Sequence, residues 1–211
     1  MNRVLPRKSR IVVLASGRGT NFQAIIDASE SGRLSGEVVG LVSDNPNAAA
    51  LERARRHGIP QVVVERKSSP SKREFDRCLR EAVRQFAPDL AVLAGFMRLL
   101  GRDFLDEFQG KVINIHPSLL PAFRGLDAQK QALDYGVRYT GCTVHFVDEG
   151  TDTGPIIGQR VVPVMPDDTE DTLTARILVK EHALMVECIN AVLTGRVRRD
   201  GRKVIVCPYA P

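Results

Sequence analysis

Asparagine and histidine stand two residues apart, as Asn114 and His116, at the end of a predicted buried strand, residues 112–115. Side chains two apart in a strand project to the same face, so we expect these two to lie side by side. An amide can stabilise a developing oxyanion and an imidazole can move a proton, a pairing that suits acyl transfer. A strand-end histidine with an ordinary hydrogen bond is the alternative interpretation.

A third polar side chain, Asp152, lies in the glycine-rich segment 148–155. A carboxylate beside an imidazole raises the pKa of the imidazole and fixes the orientation of the ring. Asp152 is therefore a natural partner for His116 if the two segments converge. The local sequence is equally consistent with a simple turn. Because the sequence has no serine or cysteine in a nucleophile elbow and no metal-ligand spacing, it favours direct transfer without a covalent enzyme intermediate or a metal.

A glycine-containing segment, residues 16–21 (SGRGTN), lies between the first predicted strand and the first predicted helix. Free backbone N–H groups and the helix dipole make such a turn a candidate phosphate site. It is not a clean dinucleotide fingerprint, because Phe22 occupies the third glycine position, and it lacks the lysine of a nucleotide P-loop. A tight turn selected for packing is the alternative.

Strand-like and helix-like patterns alternate along the first half of the chain. The predicted strands are 11–16, 38–43, 61–64, 90–94 and 112–115, and the predicted helices are 21–31, 49–57 and one capped by Ser71 that ends near Phe86. Since these strands are apolar on both faces, we expect an α/β fold with a predominantly parallel, twisted sheet flanked by helices on both faces.

The second half of the chain opens with a loop rich in proline and glycine at 117–126. The elements predicted after it are a helix at 127–135, strands at 140–146 and 156–164, a long C-terminal helix at 169–193 capped by Asp168, and a small hairpin at about 200–206. Because no segment has the composition of a linker, we predict one domain over residues 1–211, with residues 1–9 as a flexible basic tail.

Composition limits the class of partner. Of the 211 residues 43% are hydrophobic, and the longest apolar runs are strand-sized, so no membrane segment is predicted. The net charge of +5 is scattered without long basic runs beside aromatic residues, which favours a small anionic ligand, or an ordinary solvated surface, over nucleic acid. The four cysteines lie far apart and indicate reduced thiols in a cytoplasmic protein.

Five motifs in this order span essentially the whole chain. They are 16–23 (SGRGTNFQ), 94–100 (AGFMRLL), 114–121 (NIHPSLLP), 143–148 (TVHFVD) and 151–156 (TDTGPI). Together they closely resemble the folate-dependent glycinamide ribonucleotide formyltransferases of purine biosynthesis. The resemblance implies a Rossmann-like formyltransferase fold and transfer of the formyl group of 10-formyltetrahydrofolate to the amine of 5'-phosphoribosylglycinamide, giving formylglycinamide ribonucleotide and tetrahydrofolate. It also implies small-molecule substrates, no metal, and a monomer or homodimer.

The same resemblance implies a role for individual residues. The catalytic trio would be Asn114, His116 and Asp152. The residues implied to bind the ribonucleotide are Gly19, Thr20, Asn21, Phe22 and Gln23 at its phosphate, with Glu181 at its amine. The residues implied to bind the folate are Lys72, Met97, Arg98, Leu99, Leu100, Asn114, Val147 and Asp148. Core packing is the alternative for Met97 and Leu99, and a solvated helix start is the alternative for Lys72.

Two positions depart from the family pattern. Arg124 stands where proline or lysine is more common, and Asp127 stands where some relatives have histidine, which leaves the role of Asp127 open. Arginine at 124 is also found in the methionyl-tRNA formyltransferases, which carry a further tRNA-binding domain. The sequence also leaves open a hydrolase that releases formate, a transferase acting on a sugar-nucleotide amine, a catalytically silent phosphate-ligand sensor and, most distantly, an RNA-binding module.

Overall fold

The computed structural model describes residues 7–208 of the chain. Its strands are β1 (Ser9–Leu14), β2 (Gly36–Ser43), β3 (Gln61–Val63), β4 (Leu90–Leu93), β5 (Val112–His116), β6 (Tyr139–Phe146), β7 (Ile156–Pro163), β8 (Val197–Asp200) and β9 (Lys203–Val206). Its α-helices are α1 (Thr20–Glu30), α2 (Ala49–Arg56), α3 (Lys72–Arg84), α4 (Arg102–Glu107), α5 (Ala128–Tyr135) and α6 (Glu170–Leu193).

Seven strands form one sheet in the order β3-β2-β1-β4-β5-β6-β7. Strands β1 to β5 are parallel to one another, whereas β6 is antiparallel to both of its neighbours. From β1 the chain moves outward to β2 and β3 and then returns to add β4 and β5 on the other side. Open α/β sheets bind their ligands at the carboxyl edge beside such a reversal of strand order.

Helices cover both faces of the sheet because the central strands are apolar on both sides. In β1, Ile11 and Val13 pack into a core that includes residues of α1 and α6, while Val12 and Leu14 pack into a second core with residues of α3. All four side chains are fully buried, and burial of each stabilises the fold by roughly 1.5–3 kcal/mol. The predicted α/β class, the long C-terminal helix and the small hairpin, β8–β9, are confirmed.

Some local predictions need correction. Strand β1 begins at Ser9, two residues before its predicted start, and residues 1–6 of the predicted tail lie outside the described residues. The N-cap of α6 is Thr169 and not Asp168, because the Thr169 hydroxyl accepts an N–H of the first turn. Helix α4 was not predicted, since its six residues are too few to show a helical period.

Candidate functional site

A cavity of about 760 Å³ opens at the carboxyl ends of β1, β4 and β5, where the strand order reverses. Most of its lining comes from segments that follow strands, and α6 closes one side. The predicted site residues that line it are Gly19, Thr20, Asn21, Met97, Arg98, Leu99, Leu100, Asn114, His116, Val147, Asp148, Asp152 and Glu181. Phe22, Gln23 and Lys72 are not among the lining residues.

Strand β5 presents Asn114 and His116 on one face of the sheet. The face is set by alternation, because Ile113 and Ile115 pack into the core on the opposite side. His116 is 5% exposed, so its ring is withdrawn from bulk water at the floor of the cavity. The local β pattern alone therefore brings the amide and the imidazole together.

Asp152 reaches this pair from the loop between β6 and β7. Its Oδ2 lies 3.2 Å from Nδ1 of His116 and accepts the backbone N–H of Gly125 at 2.9 Å. Its Oδ1 accepts from Nδ2 of Asn114 at 3.3 Å. Asp152 has a left-handed backbone, with φ of 52°, a conformation that aspartate adopts more readily than most residues. Asn114, His116 and Asp152 thus form one contiguous cluster.

Both ring nitrogens of His116 face an acceptor. Nε2 donates to the carbonyl of Phe123 at 2.7 Å, and Nδ1 faces Asp152. Burial lowers the pKa of His116, and the Phe123 carbonyl and the Asp152 charge offset only part of that effect. When protonated, the ring therefore has a partner for each N–H and releases its proton more readily than an exposed imidazolium.

Asp152 itself stays ionised. Burial would raise its pKa, but hydrogen bonding from His145 and the Gly125 N–H, with the charges of His116 and His145, holds the pKa below its ordinary value. The cluster thus combines a fixed negative charge with an imidazole whose proton is easily released, which is the arrangement that acid–base catalysis requires.

His145 is the residue that sequence reasoning passed over. It pairs directly with Asn114 in the β5–β6 register, and its Nε2 lies 3.2 Å from Nδ2 of Asn114 and 3.6 Å from Oδ1 of Asp152. Its Nδ1 donates to the Phe146 carbonyl at 2.7 Å, which directs Nε2 toward both Asn114 and Asp152. His145 therefore packs beside both Asn114 and Asp152 and extends the cluster. The alternation in 140–146 fixed the face of His145, but only the strand pairing shows its partner.

The loop that carries Asp152 is supported at both ends. Asp148 accepts from the Thr153 hydroxyl at 2.5 Å, within the loop. A second contact comes from outside the loop: Arg202 of the β8–β9 hairpin donates to the Thr153 carbonyl at 2.9 Å. The guanidinium of Arg199 lies 4.8 Å over the ring centroid of Phe146, a cation–π contact. The terminal hairpin thus packs against the loop that positions Asp152.

A row of free donors follows β1. The backbone N–H groups from Gly17 to Phe22 have no acceptor among the described residues, and the first intrahelical bond of α1 is that from Gln23 to the Gly19 carbonyl. Unpaired N–H groups at a helix N-terminus form a site for an anion. Phe22 takes part only through its backbone, because its side chain is fully buried in the core.

Gly19 is required by the shape of this loop. Its φ is 69°, and a Cβ at this position would lie 2.8 Å from Cβ of Ala50. Replacement of Gly19 by alanine is expected to destabilise the protein by about 1–3 kcal/mol, through left-handed strain and overpacking. Denaturant unfolding measures this change. Gly17→Ala is the matched control, because a Cβ there meets nothing within 4 Å, and an equal loss in both variants would contradict this role of Gly19.

Glu181 on α6 is a buried carboxyl group in the cavity wall. It is 4% exposed and accepts a hydrogen bond from Nδ2 of Asn21 at 2.8 Å. Burial raises the pKa of Glu181, and the Asn21 bond opposes this rise. A carboxyl group of raised pKa is therefore hydrogen-bonded to the first turn of α1, next to the unpaired N–H groups.

The raised pKa of Glu181 has a consequence for stability. The folded state binds the proton more tightly than the unfolded state, so the stability this group contributes is present below its ordinary pKa and is lost as the pH rises through the folded pKa. We expect Glu181→Gln to raise the melting temperature by about 2–6 °C at pH 8, and less at pH 5. Glu187→Gln, an exposed change on the same helix, is expected to have little effect. A lower melting temperature at pH 8 would contradict the prediction.

The predicted folate segment forms an apolar wall. Met97 and Leu99 are 58% and 55% exposed although both are large and apolar, and Leu126 across the cavity is 69% exposed. Leu100 is buried, and Arg98 donates to Asp44 at 2.6 Å. Exposed apolar side chains grouped around a cavity are typical of a binding surface rather than of core packing.

The two departures from the family pattern lie in the loop before α5. Arg124 is exposed, and its carbonyl accepts a hydrogen bond from Gln131. Asp127 is the N-cap residue of α5, has a φ of 56° and lines the cavity. In the part of the chain from 7 to 208, no group of three or more His, Cys, Asp or Glu side chains could hold a metal, and no helix is long and apolar enough to cross a membrane.

The mostly parallel sheet, with asparagine, histidine and aspartate clustered at its carboxyl edge, defines an α/β protein whose site has groups suited to acyl transfer. Residues 9–189 match the model of the formyl transferase family. The phosphoribosylglycinamide formyltransferase of Escherichia coli (strain K12) is 43% identical over 89% of this chain and 89% of its own length. The chain therefore belongs to the phosphoribosylglycinamide formyltransferases of the formyl transferase family.

Two further relatives place the chain in context. The crystal structure of glycinamide ribonucleotide transformylase 1 from Symbiobacterium toebii has a TM-score of 0.95 and 46% identity, with 98% of both chains covered. The trifunctional purine biosynthetic protein adenosine-3 of Drosophila melanogaster is 45% identical over 90% of this chain. The chain spans only 14% of that protein's length.

Proposed function

We propose that this protein transfers the formyl group of 10-formyltetrahydrofolate to the amine of 5'-phosphoribosylglycinamide, in purine biosynthesis. The observation that carries the proposal is the cluster of Asn114, His116 and Asp152, joined by contacts of 3.2 and 3.3 Å, in the same cavity as a loop of free N–H groups. The cluster suits acyl transfer, and the loop suits the phosphate of the acceptor.

The acceptor lies between the loop and α6 in this proposal. The N–H groups of Gly19, Thr20 and Asn21 bind its phosphate, because a helix N-terminus favours negative charge. Glu181, at hydrogen-bonding distance from Asn21, meets the glycinamide amine and holds it toward the cluster. The raised pKa of Glu181 suits a carboxyl group that binds an amine, because the positive or partly positive nitrogen restores the ionised form.

The folate lies against the apolar wall in this proposal. Met97 and Leu99 offer large exposed apolar surfaces to its ring system, and the loop with Val147 and Asp148 lies on the other side. Arg98 also lines the cavity, with its guanidinium paired to Asp44. Lys72, in the first turn of α3, is close to Asp76 and does not line the cavity, so a contact with folate requires the ligand to extend beyond it.

The chemical step follows from the cluster. The amine nitrogen attacks the formyl carbon, negative charge develops on the formyl oxygen, and the bond between that carbon and the folate nitrogen breaks while the folate nitrogen gains the proton lost by the amine. Asn114 and protonated His116 stabilise the oxyanion, and a water relays the proton. The contacts of Asn114, 3.2 and 3.3 Å, are long enough that the amide can exchange one of them for the formyl oxygen.

The test is the absorbance change as 10-formyltetrahydrofolate loses its formyl group, with purified protein and with or without glycinamide ribonucleotide. We expect deformylation only with the amine, and formylated product in equal amount. Deformylation that proceeds equally without the amine would identify a hydrolase. No reaction in either case would contradict the assignment of the site.

A further inference from the structure

Three successive carbonyl groups of the loop after β1 are held from one side. The Ser16 carbonyl accepts from Nδ2 of Asn45 at 3.1 Å, and the Gly17 carbonyl accepts the N–H of Ala50 at 3.1 Å. The Arg18 carbonyl accepts from Nε of Arg53 at 2.9 Å. All three donors belong to the segment from the end of β2 through α2.

These bonds fix the direction of the loop's N–H groups. A trans peptide unit is planar, and its C=O and N–H point in opposite directions. Since the carbonyls of Ser16, Gly17 and Arg18 point toward the α2 segment, the N–H groups of the next residues, Gly17 to Gly19, point away from it. Successive N–H groups with one orientation form a concave site for an anion.

Arg53 is the charged donor of the three and makes a second bond to the same region. Its Nη1 donates to Oε1 of Gln23 at 3.1 Å, which ties the first turn of α1 to the loop. No carboxylate lies within 4 Å of Arg53 among residues 7–208, so its charge is uncompensated there. The Arg53 side chain does not line the cavity.

We infer that Arg53 is a positioning residue for the anion-binding loop: it acts through Arg18 and Gln23 rather than by contact with the ligand. This inference rests on the proposed function in one respect, that the anion is the phosphate of the acceptor substrate. A residue that shapes this loop alone changes the binding of that substrate and leaves the chemical step nearly unchanged.

The experiment compares Arg53→Gln and Arg53→Lys with the wild type. For Arg53→Gln we expect the KM for glycinamide ribonucleotide to rise about 10- to 50-fold, because two charged hydrogen bonds are lost, with kcat and the KM for formyl-folate within about twofold. Arg53→Lys keeps the charge but lacks the planar guanidinium that reaches the Arg18 carbonyl and Gln23 from fixed positions, so it should give an intermediate KM. Arg55→Gln, on the same helix and paired with Glu52 at the surface, is the matched control and should leave KM unchanged.

A binding measurement on the free protein separates the inference from the proposed function. Inorganic phosphate, titrated by phosphorus NMR or calorimetry, should bind the wild type and Arg55→Gln equally and Arg53→Gln about tenfold more weakly. Equal phosphate affinity in Arg53→Gln and wild type overturns the inference, as does a fall in kcat with an unchanged KM. If the wild type binds phosphate but does not formylate the amine, the proposed function fails while the role of Arg53 stands. A melting temperature for each variant shows that the folded protein was compared.

Discussion

His116→Asn is expected to lower kcat by about 10²- to 10⁴-fold while both KM values stay within a few-fold of the wild type. Asparagine places an amide close to the position of Nδ1, so the variant keeps a donor toward Asp152 and removes the proton that can be transferred. Steady-state formation of formylated product measures the change, with circular dichroism to confirm the fold.

The control for this variant is a partly buried histidine outside the cavity. His182 on α6 faces Asp27 and does not line the cavity, so His182→Asn should retain nearly all of the activity. A kcat for His116→Asn within tenfold of the wild type would show that the imidazole does not carry the proton. That result would assign the proton transfer to another group of the site.

Asp152→Asn is expected to lower kcat by about 10²- to 10³-fold and to change its pH dependence. The Asp152 charge raises the pKa of His116 against the effect of burial, so its loss lowers that pKa further. If the protonated ring is the active form, the alkaline limb of the kcat/KM profile moves to lower pH. Asparagine tolerates the left-handed backbone at this position, so the variant changes charge without new strain.

A pH profile from about 5 to 9 for both proteins measures the shift. Asp134→Asn removes a carboxylate from a surface pair with Lys130 and should leave the profile unchanged, which controls for net charge. An alkaline limb at the same pH in Asp152→Asn and wild type would show that the carboxylate does not act on the His116 proton. A limb at higher pH would contradict the sign of the interaction.

Much of the fold was visible in local patterns. The apolar runs of β1, β4 and β5 indicate strands buried on both faces, and this property requires helices on both sides. The alternation in β5 also placed Asn114 and His116 on one face before any pairing was known. These features depend on neighbours in sequence, which a single sequence displays.

The remainder of the site depends on contacts between distant segments. The pairing of Asn114 with His145 follows from the antiparallel register of β5 and β6, which local alternation does not specify. The approach of Asp152 to His116 depends on a left-handed residue in a long loop, and the contact from Phe123 depends on another. The sequence suggested Asp152 as a partner for His116, but it gave no sign of the contacts made by His145 and by the Phe123 carbonyl.

The bond between His116 and the Phe123 carbonyl occupies Nε2 of the imidazole that we propose as catalytic. A substrate oxygen that needs the Nε2 proton must displace a tethered acceptor at 2.7 Å, and its apparent affinity falls by the fraction of molecules in which the ring is free. Phe123 has a φ of 52°, a conformation unfavourable for this residue by roughly 1–2 kcal/mol, so backbone strain opposes the bond. The Phe123 carbonyl therefore competes with a substrate oxygen for the same N–H of His116.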